Sequence, residues 1–386
     1  MSLPKATLPH PLHQCSSHLR KIRASLSSSH DPGHSFYATD AHVRGSCHMV
    51  TVPVISSYVL QGLPAFVRRE IGDEALQRAN RAAGFDIDLI ERQNCFIPQR
   101  AMMDFVDTIG REAGEPNLGL LIAPAMDVAA YGSFGRYVFG ARTLRQAIKR
   151  SIAALRYHST FDSLSVTVFG DELRYSYASA LAGSKGYPAI ATAAAGELLS
   201  LFRAYMRDKW RPLRIELDIE TPHRISLFED TFQCPVIFGR PAVAIVFARH
   251  HLTATSKCRS RPIVTIEDVA RDWPGGAPQS LLQVTISQIH TQVLTRGVMI
   301  EDIARSMDTS VRSLQRELER AGTDFRSLTN AVKIQRATEL LRHTGISITD
   351  VSAELGYSSP ANFARAFRKA TGAAPHEFRA NRLQGD

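Results

Sequence analysis

Apolar positions in the first part of the chain mostly recur every three to four residues, which is the spacing of one helix face. The pattern predicts a helix from Val54 that Pro64 interrupts, because proline lacks the backbone donor that a helix interior needs. Further helices are predicted to open near Pro98, to follow Arg142 and to extend from Pro188 to Trp210. The N-terminal half is therefore expected to contain several packed helices.

Between these helices the pattern changes to the alternation that is typical of strands. Residues 163–176, SLSVTVFGDELRYS, alternate on both sides of Gly170-Asp171 and predict a β-hairpin. The later segments are a strand at 213–219, a short helix at 225–232 and a strand pair at 236–248 around Gly239-Arg240. Helices followed by a few antiparallel strands predict an α+β domain, which we place at residues 49–252.

A pattern of two short helices occurs twice near the C-terminus. The copies read IEDIARSMDTSVRSLQRELERAG (300–322) and ITDVSAELGYSSPANFARAFRKATG (348–372). Each copy has a short apolar-periodic helix, a break of a few residues and a second amphipathic helix, which is the layout of a helix-turn-helix. At the break, Gly356 of the second copy takes positive φ easily, whereas Asp308 of the first copy takes it at moderate cost.

A longer helix, predicted from Asp324 to Arg342, joins the two copies. Together these elements predict an all-α C-terminal domain at residues 281–383, with helix-turn-helix units at about 300–321 and about 348–371. The expected fold is an α+β N-terminal sensor domain followed by an all-α C-terminal domain with two helix-turn-helix units joined by a long helix.

Two segments lack the periodicity of folded elements. Residues 1–48 are rich in His, Ser and Pro and predict a disordered leader. Residues 253–280 contain three prolines and the Gly275-Gly276 pair, which is the composition of a linker. The five cysteines lie far apart and form no CxxC pair, so neither a disulfide framework nor a structural metal site is expected.

The net charge of +9 favours an anionic partner, but the excess is spread along the chain. Residues 285–386 hold 14 Lys and Arg against 11 Asp and Glu, so DNA binding has to depend on the placement of side chains rather than on total charge. No apolar run approaches the ~20 residues of a membrane helix. We therefore expect a protein of the cytoplasm without a membrane partner.

The second helix of the first copy carries a polar face suited to DNA. Arg312, Gln315 and Arg316 lie at i, i+3 and i+4, opposite Leu314 and Leu318. Arginine can donate two hydrogen bonds to guanine, and glutamine can pair with adenine, in the major groove. The sequence therefore predicts a helix that reads DNA bases.

The C-terminal region resembles the DNA-binding domain of AraC-type transcription regulators. The segments SVRSLQREL and KIQRATELLRHTGISITDVSAELGYSSPANFARAFRKATGAAPHEFR carry the resemblance, and the ending Gly372-x-x-Pro375-x-x-Phe378-Arg379 is specific. The resemblance implies DNA contacts from Ser310, Arg312, Gln315 and Arg316 in the first copy, and from Ala361, Asn362 and Arg365 in the second. Because the second face is poorer in hydrogen-bonding groups, we expect the first unit to dominate base recognition.

Residues 50–250 are similar to the sensing and dimerisation domain of one branch of this family, the branch that contains ornithine-utilisation regulators. This resemblance implies a homodimeric regulator that binds double-stranded promoter DNA, contacts RNA polymerase and responds to a small-molecule effector, with no cofactor. We expect an activator, with a repressor as the alternative. Tyr131, Phe134 and Tyr137, among Gly132 and Gly135, are candidates for an apolar effector pocket. Ordinary packing of aromatic side chains in a core is the alternative for each of them.

Three alternatives to a regulator that responds to an effector are an enzyme, a fusion of a regulator with an enzyme, and a regulator without an effector. An enzyme is disfavoured because the glycines at 132, 135 and 140 do not follow GxGxxG spacing, and because no GxSxG, HExxH or Walker loop occurs. A fusion of a regulator with a DNA-repair methyltransferase would need a reactive cysteine and a cysteine–zinc cluster, which Cys234-Pro235 does not provide. The remaining alternative is a dimeric DNA-binding regulator whose N-terminal domain serves only for dimerisation or recruitment of a partner.

Overall fold

The computed structural model describes residues 52–84, 87–92, 94–114, 118–257, 263–273, 276–293, 298–343 and 345–380. The leader expected at 1–48 lies outside these residues. The described chain forms two compact units. The larger unit extends to Thr291 and also includes Ile300–Leu314, and the smaller unit comprises Gln292–Met299 and the residues from Gln315 onward.

Helices make up most of the larger unit. Those before residue 294 are α1 (Leu63–Glu70), α2 (Asp73–Ala83), α3 (Ile87–Arg92), α4 (Gln99–Ala113), α5 (Leu118–Ile122), α6 (Gly132–Phe139), α7 (Leu144–Ala154), α8 (Tyr187–Arg203), α9 (Ile225–Phe232), α10 (Ile266–Asp272) and α11 (Leu281–Val293). The apolar face of α4 is fully buried at Phe105 and Ile109, and α8 is buried along nearly its whole length. Burial of these faces is the main contribution that holds the helices together.

Two sheets complete the larger unit. The short strands β1 (Val54–Ser56) and β2 (Phe96–Pro98) pair antiparallel. The five-stranded sheet has the order β3-β4-β7-β5-β6. Its strands are β3 (Ser163–Phe169), β4 (Glu172–Ala178), β5 (Arg214–Glu216), β6 (Val236–Ile237) and β7 (Val243–Ala248). The predicted hairpin is β3 and β4, joined through Gly170 with φ of 57°.

Two local predictions for the larger unit were wrong. Val54–Ser56 is a strand rather than the start of a helix, and Pro64 lies in the first turn of α1, where its missing N–H is tolerated. The pair predicted at 236–248 is not a hairpin, because β5 lies between β6 and β7 and pairs parallel with β6. Two-residue β6 is too short for its periodicity to indicate a partner.

A helix lies inside the segment expected to be a linker. Helix α10 begins with a capping box, in which Thr265 and Asp268 satisfy each other's backbone N–H groups. Its Val269 is buried in the core of the larger unit. The sequence IEDVARD offers only two large apolar residues, Ile266 and Val269, which is too little periodicity to stand out from the surrounding prolines and glycines.

The doubled motif forms the expected helices. The first copy is α12 (Ile300–Ser306) and α13 (Val311–Arg320), and the second is α15 (Ile348–Glu354) and α16 (Pro360–Thr371). Helix α14 (Phe325–His343) lies between the copies, and α17 (Pro375–Ala380) follows them. This arrangement confirms the predicted fold class, an α+β region followed by helical helix-turn-helix units.

The turns of the two copies use the same backbone conformation. Asp308 has φ of 52° and Gly356 has φ of 64°, so both lie in the left-handed region. The side chain of Ser359 then accepts a hydrogen bond from the backbone N–H of Asn362, and Pro360 occupies the first turn of α16. Each feature ends one helix and begins the next at a defined residue.

Candidate functional site

The exposed face of α13 is held in place by its buried face. Leu314 and Leu318 are completely buried, whereas Arg312, Gln315 and Arg316 are exposed. The Oγ of Ser310 accepts a hydrogen bond of 3.1 Å from the N–H of Ser313 and so caps the helix. The three predicted base-reading side chains therefore share one solvent-facing surface.

The predicted contacts of the second copy form a small hydrogen-bonded network on α16. The Asn362 amide donates to the Ser358 hydroxyl over 2.7 Å, and the Asn362 carbonyl accepts from the Arg365 guanidinium. Ala361 and Arg365 are exposed, while Asn362 is half-buried. Asn362 thus positions Arg365, which restricts the arginine before any ligand arrives.

Ser352 lies on the buried side of α15. Its side chain is 1% exposed, and its hydroxyl has no hydrogen-bond partner among the described residues. The matching residue of the first copy is Ala304, which is also buried. A buried hydroxyl without a partner lowers the stability of the fold.

A second candidate site is a cavity of about 60 Å³ in the larger unit. Most of its wall is apolar, and its polar groups come from residues far apart in the chain. The lining includes Tyr131, Phe134, Val138, Leu155, His158, Asp162, Leu164, Tyr175, Tyr177, Glu197, Leu198 and Leu201. None of these side chains is a lysine or an arginine, so the cavity has acidic groups and no permanent cation.

Two glycines let the surrounding helices approach closely enough to form this wall. A Cβ on Gly135 would lie 2.3 Å from the carbonyl oxygen of Val128, so α6 packs directly on the preceding turn. A Cβ on Gly196 would lie 2.2 Å from the carbonyl oxygen of Ala123. Any side chain at either position would push α6 or α8 away from its neighbour, and with it the adjacent Phe134 or Glu197.

Glu197 is the acidic group with unused hydrogen-bonding capacity. Its Oε1 accepts a bond of 2.7 Å from the hydroxyl of Tyr131, and no described residue donates to its Oε2. Burial raises the pKa of the Glu197 carboxyl to about 7, and nearby Asp162 adds to the rise. Burial, followed by the charge of Glu197, raises the pKa of Tyr131 well above its usual range, so Tyr131 remains a donor.

Asp162 differs from Glu197 because its oxygens are already occupied. Oδ2 accepts from the Gln99 amide and the Tyr177 hydroxyl, each at 2.9 Å, and also from the Ser159 hydroxyl. Oδ1 accepts from the backbone N–H of Ala180 at 2.8 Å. Asp162 therefore ties the loop before β3 to its surroundings and has little capacity left for a ligand.

His158 lies between aromatic rings. Its imidazole stacks on Tyr131 with ring centroids 5.3 Å apart and on Phe134 at 4.9 Å. Burial lowers the pKa of His158 to about 4, so the ring is neutral near pH 7. It is 94% buried (6% exposed), and none of the described residues makes a hydrogen bond to its ring nitrogens. The nitrogens are thus available within the cavity wall.

The three predicted effector residues occupy different places. Tyr131 and Phe134 line the cavity, but Tyr137 does not. The guanidinium of Arg150 covers the Tyr137 ring at 4.9 Å and donates to its backbone carbonyl. On a helix, residues 131 and 134 share a face that residue 137 continues only in part, and here Tyr137 turns toward α7.

Sequence reasoning missed Glu197 and His158. Glu197 carried a signal, since it is the only charged residue in the apolar run ATAAAGELLSLF of α8. A lone acid on a buried helix must find a partner or remain neutral. His158 carried no comparable signal, because its neighbours in sequence do not indicate the aromatic stack that the fold builds.

The described part of the chain shows neither a metal-binding cluster nor a membrane-spanning helix. None of its His, Cys, Asp and Glu side chains cluster in a way that could hold a metal ion. None of its helices combines the length and the apolar character that crossing a bilayer requires. Cys95 and Cys234 are buried free thiols.

Comparison with known protein families assigns both regions. The family described as the arabinose-binding domain of AraC transcription regulators, N-terminal, matches residues 75–255. A helix-turn-helix domain family matches residues 303–381. Together the two matches cover more than half of the chain.

Individual relatives agree with these matches. The chain is 24% identical to the ornithine utilization regulator of Pseudomonas aeruginosa over 277 residues, which is 69% of this chain and 79% of the relative. It is 38% identical to an uncharacterized HTH-type transcriptional regulator of Mycobacterium tuberculosis over 77 residues, 20% of this chain and 22% of that protein. Among solved structures, the transcriptional regulator CdpR of P. aeruginosa matches with a TM-score of 0.36 and 18% identity, over 80% of this chain and 97% of that one.

The families and relatives are transcription regulators rather than enzymes. The N-terminal match identifies an arabinose-binding-like domain, and the C-terminal match identifies a DNA-binding helix-turn-helix domain. The chain therefore belongs to the AraC-type DNA-binding transcription regulators.

Proposed function

We propose that this chain is a cytoplasmic homodimer that binds promoter DNA and activates transcription through contact with RNA polymerase when a small molecule occupies its N-terminal domain. The observation that carries the proposal is the face of α13, where Arg312, Gln315 and Arg316 are exposed while Leu314 and Leu318 are fully buried. A rigid helix with forked donors on its open face suits the major groove.

Recognition would divide unequally between the two copies. On α13, two arginines can donate to guanine and Gln315 can pair with adenine. On α16, the side-chain amide of Asn362 donates to Ser358 and its carbonyl accepts from Arg365. Arg365 is therefore expected to supply most of the contact between α16 and DNA. We therefore assign base reading mainly to α13, and phosphate contact with one base pair to α16.

The test begins with selection of bound duplexes from a random-sequence DNA library, using the full-length protein. Affinity for the selected duplex is then measured for Arg316→Ala and Arg365→Ala. Each contact should be worth ~1–3 kcal/mol, so each variant should bind about 5-fold to 150-fold more weakly. Repeating the selection with Arg316→Ala should relax the preference at one or two base pairs.

Arg271→Ala serves as the matched control. Arg271 is an exposed arginine on α10, outside the recognition helices, and its partner is Asp268. Its loss changes the net charge by the same amount and should leave affinity and sequence preference as they are. Unchanged affinity and preference in both Arg316→Ala and Arg365→Ala would overturn the assignment of these helices.

The cavity between α6, α8 and β4 supports the effector part of the proposal. It is concave and largely apolar and is lined by a few polar groups, which is the usual form of a small-molecule site. A ligand that binds only the folded protein must raise its melting temperature. A metabolite panel in which no compound does so would favour the alternative, a regulator whose N-terminal domain only dimerises or recruits a partner.

A further inference from the structure

The cavity wall combines free acceptor groups with apolar side chains. The free groups are Glu197 Oε2 and the ring nitrogens of His158, while Asp162 is saturated by four donors. The remaining hydroxyls are also paired, since Tyr175 and Ser151 share a hydrogen bond of 2.7 Å. The wall thus matches a ligand with one polar end and an apolar body.

The charged groups of the cavity wall determine whether the polar end of the ligand is a cation or an anion. Glu197 is acidic, His158 is neutral near pH 7, and the lining contains no lysine or arginine. An anionic ligand would meet Glu197 and Asp162 without a compensating cation, which is strongly unfavourable in a buried site. Because Tyr131 and Phe134 stack on His158, the Glu197 carboxyl is the group that attracts a cation.

The cavity volume limits the size of the ligand. A cavity of about 60 Å³ has room for about four to six water molecules at about 10–15 Å³ each, so it suits a ligand of a few heavy atoms. A monosaccharide carries hydroxyls around its whole ring, and some of these would face Val138, Leu155 and Leu201 without partners.

We propose that this cavity binds a small organic cation, a primary alkylammonium, with its charged end against Glu197 and its chain among Val138, Leu155 and Leu201. The proposal rests on the effector-binding role proposed above and names the chemical class of the effector. The ammonium group donates to Glu197 Oε2 and to an imidazole nitrogen of His158, the two acceptors that the fold leaves open.

The test uses full-length protein and four probes at matched ionic strength, namely propylammonium chloride, 1-propanol, sodium propionate and L-arabinose. Tryptophan fluorescence on heating follows the larger unit, because Trp210 and Trp273 both belong to it. Propylammonium at millimolar concentration should raise the melting temperature, and the neutral alcohol of the same size should not.

Two variants test separately the negative charge of Glu197 and the volume of the cavity. Glu197→Gln keeps an acceptor for the Tyr131 hydroxyl but removes the negative charge, so it should weaken propylammonium binding by at least about 30-fold. Leu155→Phe enlarges a half-buried wall residue and should block the amine without altering Glu197. Glu220→Gln, an exposed position, is the matched control and should bind as wild type does.

Each contrary outcome has a distinct meaning. Equal stabilisation by 1-propanol, or undiminished binding by Glu197→Gln, would overturn the ammonium proposal, as would the absence of any shift with propylammonium. If sodium propionate or L-arabinose stabilises the protein instead, effector binding stands and only the cation assignment fails. The regulator assignment has its own readout in the DNA selection, which does not depend on the amine.

Discussion

Replacing Glu197 with glutamine should stabilise the unliganded protein above neutral pH. Burial raises the pKa of this carboxyl from 4.5 to about 7. At 1.36 kcal/mol per pKa unit, that difference corresponds to about 3 kcal/mol of opposition to the ionised form in the folded protein. Glutamine keeps the acceptor for Tyr131 and carries no charge, so the variant avoids this cost.

The direction of the pH dependence follows from the raised pKa. The folded protein holds the Glu197 proton at pH values where the unfolded chain has already lost it. The contribution of Glu197 to stability is therefore complete below about pH 4.5 and is lost as the pH rises through about 7. The advantage of Glu197→Gln over wild type should grow from about 1 kcal/mol at pH 5 to about 3 kcal/mol at pH 8.

Urea titrations at pH 5 and pH 8 measure this difference. Tryptophan fluorescence reports on the larger unit alone, since Trp210 stacks on Phe202 and Trp273 packs on Phe96 within it. The other titratable groups around Glu197 are Asp162, Tyr131, Tyr177 and His158. Tyr131 and Tyr177 stay protonated at both pH values because burial raises their pKa values, and His158 stays neutral because burial lowers its pKa to about 4.

An advantage of equal size at the two pH values would refute the reasoning. So would a variant that is less stable than wild type at pH 8, because the carboxylate would then be stabilised by the fold rather than opposed by burial. Glu220→Gln, which changes an exposed carboxylate, should show the same pH dependence as wild type.

Two further substitutions test local features of the repeated motif by calorimetric unfolding of the full-length protein. Asp308 has φ of 52°, so Asp308→Gly should be more stable than Asp308→Ala by about 1 kcal/mol, and equal stability would contradict a left-handed turn residue. Ser352→Ala removes a buried hydroxyl without a partner and should raise stability by about 1 kcal/mol, whereas a loss would mean that the hydroxyl has a partner, such as a bound water.

The helix-turn-helix region could be predicted almost entirely from sequence. Its information is local: apolar spacing gives the helices, and Gly356 and Ser359 mark where one ends and the next begins. Because the two copies repeat in register, each strengthened the prediction of a helix-turn-helix in the other. The left-handed conformation of Asp308 also followed from its alignment with Gly356. The positions of the exposed side chains on α13 follow directly from helix geometry.

The N-terminal region was less predictable because its decisive contacts are distant in sequence. Tyr131, His158 and Glu197 come from three segments that only the folded chain brings together. The pairing of β6 with β5 likewise depends on a strand of two residues. Periodicity indicates which face of an element is buried, but it does not indicate what that face is buried against.

The outer strand of the five-stranded sheet is expected to promote aggregation when the protein refolds. Strand β3 lies at the edge, and its Val168 and Phe169 are 53% and 57% exposed. Its sequence SLSVTVF contains no charge and no proline, the two devices that usually prevent edge strands from pairing with other chains. Refolding yield should therefore fall with rising protein concentration, and a lysine at position 168 is the simplest change that would protect a partly folded chain from aggregation.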